Sequence, residues 1–308
     1  EGNSKDPADP KKIFSMTRKA IGFIEAQVAA KKPFFVQVSH YAEHNAVQYL
    51  EETYEVCLRD KNIANITPVA LRKRVAQRSA MVEDMDRSIG RLIEKLDQLG
   101  VRENTYIIFT SDNGSNGRNG GSNRPLSGAK GSTMEGGMRV PMIARWPGRI
   151  PVGSTCRELG TMMDLLPTFC ALTGATLPLK KLDGFDISEM LFGKGDAKSQ
   201  YEALYYYRRR QLQAIRYGDW KYHLPLKATH PNWTTAKQAG PGRSGKLVNL
   251  KSDLQEKTDV TAANPEVVKR MQELLKTAVV TLGNDDIRGD EQRGARTLDS
   301  SKPLTLKE

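Results

Sequence analysis

The stretch MVEDMDRSIGRLIEKLDQLGVRENTYIIFTSDNG, Met81–Gly114, decides how the rest of the chain is read. Met81, Met85, Ile89, Leu92, Ile93 and Leu96 recur at helical spacing and form one apolar stripe. Extended back to Pro68, the pattern predicts a long helix over residues 68–99. Gly100 follows, and glycine is the residue best able to take the left-handed turn that stops a helix. Tyr106–Thr110 is then a short apolar run, which predicts a buried strand ending in polar Ser111, Asp112 and Asn113.

Upstream, KKPFFVQVSHYAEH has the same form. Phe34–Val38, entered by Pro33, predicts a second buried strand whose end delivers Ser39, His40, Tyr41 and His44. Before it, Ser15 is the expected cap of a helix over MTRKAIGFIEAQVAA, with Ile21, Ile24 and Val28 on one face. The order strand, helix, strand predicts an α/β fold with a mainly parallel sheet flanked by helices. Ligands of such sheets gather beyond the C-terminal strand ends, where His44 and Asp112 both fall.

Downstream, Val140–Arg145 predicts a third strand, and a helix follows at about Met162–Thr173. A polar stretch near 193–200 marks a boundary. Residues 1–195 are expected to form a large α/β domain. Residues 196–283 are expected to form a smaller α+β domain of antiparallel strands and a helix over Pro265–Val280. The polar end, residues 284–308, is expected to be a tail without order.

Composition narrows the function classes. The chain has 308 residues, 27% charged and 38% hydrophobic, as a soluble globule would. No apolar run reaches the roughly 20 residues that span a bilayer. The start, EGNSKDPADPKK, has neither an initiator Met nor the apolar region of a signal peptide, so a processed chain or a fragment is expected. The formal net charge of +11 favours anionic partners. No aromatic-basic RNP pattern, zinc spacing or basic helix supports nucleic acid, and a sulfated glycan suits the charge equally well. The three cysteines, Cys57, Cys156 and Cys170, are no disulfide framework, and Cys170 lies in an apolar helix that reads as core. Sequons at Asn65, Asn113 and Asn232 are too common a pattern to imply glycosylation.

Between Ser111 and Pro141 the chain holds eight glycines. The order GAKGST does not fit a phosphate-binding loop, because the lysine precedes the glycine. Asp112 and Asn113 supply a carboxylate and an amide oxygen, ligands suited to a hard cation such as Ca²⁺ or Mg²⁺. An Asx-turn capping the strand explains the same residues. Lys130, between small residues, can approach an anion closely, or can be an ordinary solvated lysine. His44 can donate a proton to a leaving group, or be a loop histidine; His40 has the weaker claim. Glu135 and Arg139 would pair on a helix. Tyr205–Tyr207 with Arg208–Arg210 can line a glycan cleft or form a strand with a basic edge. His223 and His230 look incidental.

Taken in order, KPFFVQVSHYAEH, Met81–Gly114, GAKGSTMEGGMRVPMIARWPG, TMMDLLPTFCALTG, LDGFDISEML, AIRYGDWKYHL and LVNLKSDLQEKTDV resemble the sulfatase family over roughly Ile13–Leu282. The resemblance implies an alkaline-phosphatase-like fold and hydrolysis of sulfate monoesters at a Ca²⁺ site, with Mg²⁺ as the alternative. By motif match Asp112 and Asn113 resemble metal ligands. Lys130 resembles the lysine that binds sulfate, and His44 the histidine that contacts sulfate and protonates the leaving oxygen. Glu43 and Ala46 stand where the family often has proline. Sulfatases also carry an early Cys- or Ser-x-Pro-x-Arg motif, oxidised to the formylglycine nucleophile, and an early Asp-Asp pair. Neither is found here, so the chain resembles a sulfatase without its N-terminal third. The resemblance further implies a sulfated small-molecule or polysaccharide substrate and an exported, periplasmic or lysosomal location. A phosphoester or phosphonate hydrolase of the same superfamily, and a non-catalytic binder of anionic glycans, stay open as alternatives.

Overall fold

The computed structural model of the chain describes residues 3–118, 120–231 and 239–294. It divides into two compact units. The first comprises residues 1–124, 128–130 and 136–201, and the second residues 125–127, 131–135 and 202–308.

The first unit opens with α1 (Ile13–Ala29). Its leading amides need an acceptor. Asp9 Oδ1 accepts from Phe14 N at 2.9 Å and Ser15 N at 3.2 Å, so Asp9 does the capping expected of Ser15. Two short helices, α2 (Glu51–Arg59) and α3 (Lys61–Ala64), follow. Their apolar faces offer little beyond Tyr54 and Ile63, which is why periodicity does not reveal them. The predicted long helix is α4 (Val69–Gln98), packed on both α1 and α2, with Ala76 and Ala80 in one buried cluster with Tyr54 and Ile63.

Two buried polar ties hold α4 in register. Ser88 Oγ lies 2.7 Å from Thr17 Oγ1 on α1. Asp84 accepts from Leu50 N at 2.8 Å and Thr53 Oγ1 at 2.7 Å at the start of α2. Burial pushes the Asp84 carboxyl above the usual carboxylate range, against the pull of those hydrogen bonds.

β1 (Ile107–Thr110) and β2 (Met142–Arg145) pair antiparallel, with Ile107 opposite Arg145. Between them lies one helical turn, α5 (Glu135–Met138). Phe34–Val38, expected as a strand, has no ladder partner among the described residues; Phe35 instead packs its ring 5.6 Å from that of Phe169. A strand exists only through a neighbour that shares its hydrogen bonds. Among the described residues the parallel pairing expected from strand–helix–strand order is therefore not formed, and every strand pair is antiparallel. The expected helix after residue 162 is one 3₁₀ turn, Met162–Asp164, opened by a Thr161–Asp164 capping box and continued as α6 (Leu165–Thr173). Cys170 is buried in it, as read from sequence. Gly174, at φ +72°, ends the helix, and α7 (Ser188–Leu191) completes the unit.

The second unit is built on β3 (Leu204–Arg208), β4 (Gln211–Tyr217) and β5 (Trp220–His223). A separate pair, β6 (Leu226–Thr229) and β7 (Gly240–Arg243), follows. β8 (Lys246–Asn249) joins the main sheet, whose order is β3-β4-β5-β8. One face of this sheet packs on α8 (Pro265–Thr281): Leu212, Tyr222 and Leu247 meet Met271, Leu274 and Leu275. Past α8, β9 (Gly283–Asn284) and β10 (Ile287–Arg288) form a small hairpin. Ordered pairing thus continues beyond residue 284, where the tail was expected to begin. Asn232 and residues 295–308 lie outside the described residues.

Candidate active site

Asp112 and Asn113 follow β1 directly, and Asp112 is exposed. An Asx-turn would need their side-chain oxygens to accept the amides of Gly114 and Ser115. Both amides are committed elsewhere. Gly114 N donates to Gly137 O at 3.2 Å, and Ser115 N to Asn123 Oδ1 at 2.8 Å. Among the described residues nothing donates to the Asp112 carboxylate or the Asn113 amide oxygen. Two hard oxygens at a strand end are thus left available, which fits Ca²⁺ or Mg²⁺ in kind. They do not fit in number. Ca²⁺ takes about six to eight oxygens, and no cluster of three or more His, Cys, Asp or Glu is present among the described residues.

The glycines explain how the loop is packed. A Cβ on Gly114 would fall 1.8 Å from Gly136 O, so two backbones touch where no side chain fits. A Cβ on Gly120 would fall 2.7 Å from Val75 Cγ2, and one on Gly121 only 2.0 Å from Arg78 Nη1, both on α4. Asn123 organises the interior of the loop. Its Nδ2 donates to Ser115 O at 2.8 Å and Gly128 O at 3.1 Å. Lys130 N donates to the same Ser115 O at 3.0 Å. The half-buried Lys130 is therefore fastened by its backbone to the loop that carries Asp112 and Asn113. Neither Asn123 nor Arg78 stands out in the sequence, because an asparagine or arginine among polar neighbours carries no pattern of its own.

His44 sits exposed in a turn closed by His44 N donating to Tyr41 O at 2.9 Å. Its ring lies 5.2 Å from the Tyr41 ring. Nδ1 is 3.1 Å from Asn45 O; a carbonyl only accepts, so Nδ1 carries a proton and Nε2 is the atom left for substrate. His40 differs: its Nδ1 is buried without a partner among the described residues, and burial pushes its pKa down, which favours the neutral ring. Glu43, beside His44, forms an ion pair with Arg78 on α4. Burial raises the Glu43 pKa despite that pairing.

Two expectations need correction. Glu135 does not pair with Arg139, because α5 ends at Met138. Its carboxylate instead receives Lys221 Nζ at 2.9 Å and Tyr206 OH at 3.1 Å. His223 is not incidental. It is buried, with Nε2 2.7 Å from Glu256 Oε2, and Lys221 Nζ is 3.2 Å from the same oxygen. Burial pushes His223 below its ordinary pKa even against the pull of Glu256. Burial alone would raise Glu256, but the His223 hydrogen bond, the Lys221 charge and Glu135 N–H together hold it low. Of the two readings of Tyr205–Tyr207, these tyrosines take the strand, as part of β3. Their hydroxyls are spent inside the unit, Tyr206 on Glu135 and Tyr207 on Gly283 O at 2.8 Å.

The Sulfatase family model matches residues 10–175, and the model for the C-terminal part of N-sulphoglucosamine sulphohydrolase matches residues 130–279. N-acetylgalactosamine-6-sulfatase of Mus musculus is 34% identical over 213 residues, covering 68% of this chain and 37% of the relative. Arylsulfatase A of Homo sapiens is 37% identical over 233 residues, covering 68% of this chain and 45% of the relative. The chain thus spans less than half the length of these curated relatives. The crystal structure of Ps i-CgsB in complex with k-i-k-neocarrahexaose superimposes with a TM-score of 0.72 at 28% identity, over 90% of this chain and 56% of that one. Its architecture is accordingly that of the alkaline-phosphatase-like sulfatases, with a smaller C-terminal part. On the match over more than half its residues, the chain belongs to the sulfatase family.

Proposed function

We propose that this chain supplies the metal-binding and leaving-group side of a sulfuric ester hydrolase acting on sulfated carbohydrate. The observation that carries the reading is the loop after β1. Its Asp112 and Asn113 oxygens are left without hydrogen bonds among the described residues, and Lys130 is fastened to the same loop through Ser115 O at 3.0 Å.

Asp112 and Asn113 would hold Ca²⁺, with oxygens from elsewhere completing its shell; once bound, the cation supplies positive charge against the sulfate oxygens. Lys130 adds a compact ammonium to the same end of the sulfate, and preorganised charge of this kind is often the largest catalytic contribution. His44 Nε2, protonated, hands its proton to the departing alcohol oxygen, while the Nδ1–Asn45 contact holds the ring's orientation. The attacking group is expected from a Cys- or Ser-x-Pro-x-Arg segment that would supply formylglycine, a pattern these 308 residues do not contain. A carbohydrate substrate is supported by relatives named for sugar sulfates, by the oligosaccharide in the Ps i-CgsB complex, and by the net charge of +11. The same family relation supports export to a periplasmic, lysosomal or extracellular compartment.

The test is sulfate release from 4-nitrophenyl sulfate and sulfated oligosaccharides by the full product of the gene, with and without a chelator. Lys130→Ala should lower kcat/KM by about 10²–10³-fold. His44→Gln should cost most on esters whose alcohol is a poor leaving group. The 308-residue chain alone should stay at background. Turnover indifferent to both substitutions would overturn the reading, and undiminished glycan binding without turnover would favour a non-catalytic binder.

A further inference from the structure

α4 carries a side chain that reaches both loops of the candidate site. Arg78 forms an ion pair with Glu43, the residue before His44. Its Nη1 also lies 3.2 Å from Arg118 O and 3.4 Å from Ser115 Oγ. Ser115 is the residue whose carbonyl takes the amide of Lys130. One guanidinium is thus shared between the turn that presents His44 and the loop that presents Asp112, Asn113 and Lys130.

The chemistry suits the task. A guanidinium is planar, always charged, and sends its donors out as a rigid fork, so it can serve two loops in fixed directions as an ammonium cannot. The helix beneath it is itself anchored by Ser88 against α1 and by Asp84 against α2. The site of attachment is built rather than incidental: Gly121 leaves room for the guanidinium, since a Cβ there would fall 2.0 Å from Nη1. Arg78 is also only about one-fifth exposed, so its ion pair is shielded more than a surface pair.

We propose that Arg78 is a positioning residue that, through Glu43 on one side and Ser115 and Arg118 on the other, holds the His44 turn in register with the Asp112–Lys130 loop. This rests on the proposed roles of His44 and Lys130. It assigns Arg78 no contact with substrate.

Hydrogen exchange of the 308-residue chain tests the coupling without any turnover. In Arg78→Ala, amides of residues 40–46 and of 113–118 with 120–121 should both exchange about tenfold faster, while residues 80–98 of α4 keep their protection. Glu43→Gln should loosen the His44 turn alone, and the exchanged pair Glu43→Arg with Arg78→Glu should restore it. Arg78→Lys should fail to restore the two-loop protection. In the full gene product, Arg78→Ala should lower kcat by about 10²-fold with KM little changed, the signature of a misplaced group. Unchanged exchange in both loops overturns the proposal, as does a rise in KM alone, which would make Arg78 a substrate contact. Loss of protection throughout α4 in Arg78→Ala and in Glu43→Gln alike would also overturn it, because the pair would then be holding the fold. If the full product releases no sulfate, the proposed function fails, and the exchange measurements still decide the positioning role.

Discussion

Gly114 shows how much one missing side chain decides. The residue is needed because its backbone lies against the carbonyl of Gly136, where a Cβ would sit 1.8 Å from the oxygen. A backbone carbonyl cannot swing aside as a side chain would, so Gly114→Ala must part the two segments. The overpacking should cost about 1–3 kcal/mol and lower the thermal midpoint of the chain. It should also speed exchange of the Lys130 amide, which donates to Ser115 O next door. An unchanged midpoint would show that the loop yields freely. Asn123 belongs to the same scale. Three hydrogen bonds converge on its one amide group, and the one from Ser115 N removes the amide that an Asn113 turn would use.

Among the elements, β5 carries the clearest division of labour. Side chains alternate across a strand. Tyr222 points into the core against α8, so Lys221 and His223 share the opposite face. There they meet Glu135 and Glu256, and all four side chains are almost fully buried. Such a network is costly to desolvate and far costlier to break, because removing one partner leaves charge buried without compensation. Lys221→Met would leave two carboxylates facing each other across the site of the ammonium. It should destabilise the chain by about 3–5 kcal/mol, measured by chemical denaturation. A loss within the range of an ordinary surface substitution would mean that water reaches the network. Tyr206 adds to the same site, with its ring 4.2 Å from Lys221 Nζ and its hydroxyl on Glu135.

At the scale of the whole molecule, acid is the expected weakness. His223 is held below its ordinary pKa of 6.5 in the fold, so the unfolded chain takes up that proton first. Its contribution is complete above that value and is lost as pH falls from there through the lower folded-state pKa. Glu256 is held below its ordinary 4.5, so its contribution is also lost on acidification, in a lower window. Glu43 and Asp84 act in the opposite sense, since burial raises both, but only near the carboxylate range. The thermal midpoint should therefore fall between about pH 7 and pH 5, and His223→Gln should show a shallower fall from a lower start. An equal slope in the two chains would remove His223 as the cause. The formal net charge of +11 grows as carboxylates protonate and works in the same direction.

Periodicity in the sequence alone was enough for α4, α6, α8, β1 and β2, because each carries its own apolar pattern in contiguous residues. The motif order was enough for the family, and it singled out Asp112, Asn113, Lys130 and His44 as the candidate site residues. The antiparallel strands of the second unit were legible from their alternation, but strand pairing in the first unit was not. Phe34–Val38 has the composition of a strand, yet a ladder depends on a neighbour that composition does not name. The capping of α1 by Asp9, the junction at Arg78 and the buried set Glu135–Lys221–His223–Glu256 were equally hidden. Each joins residues whose individual types are ordinary surface types, at separations of up to 121 positions between Glu135 and Glu256. Local sequence determines which segments can become helix or strand and which residue types can do chemistry. Only tertiary structure decided which polar groups lose water together, and desolvation is what turns a scattered lysine, histidine and two glutamates into one network.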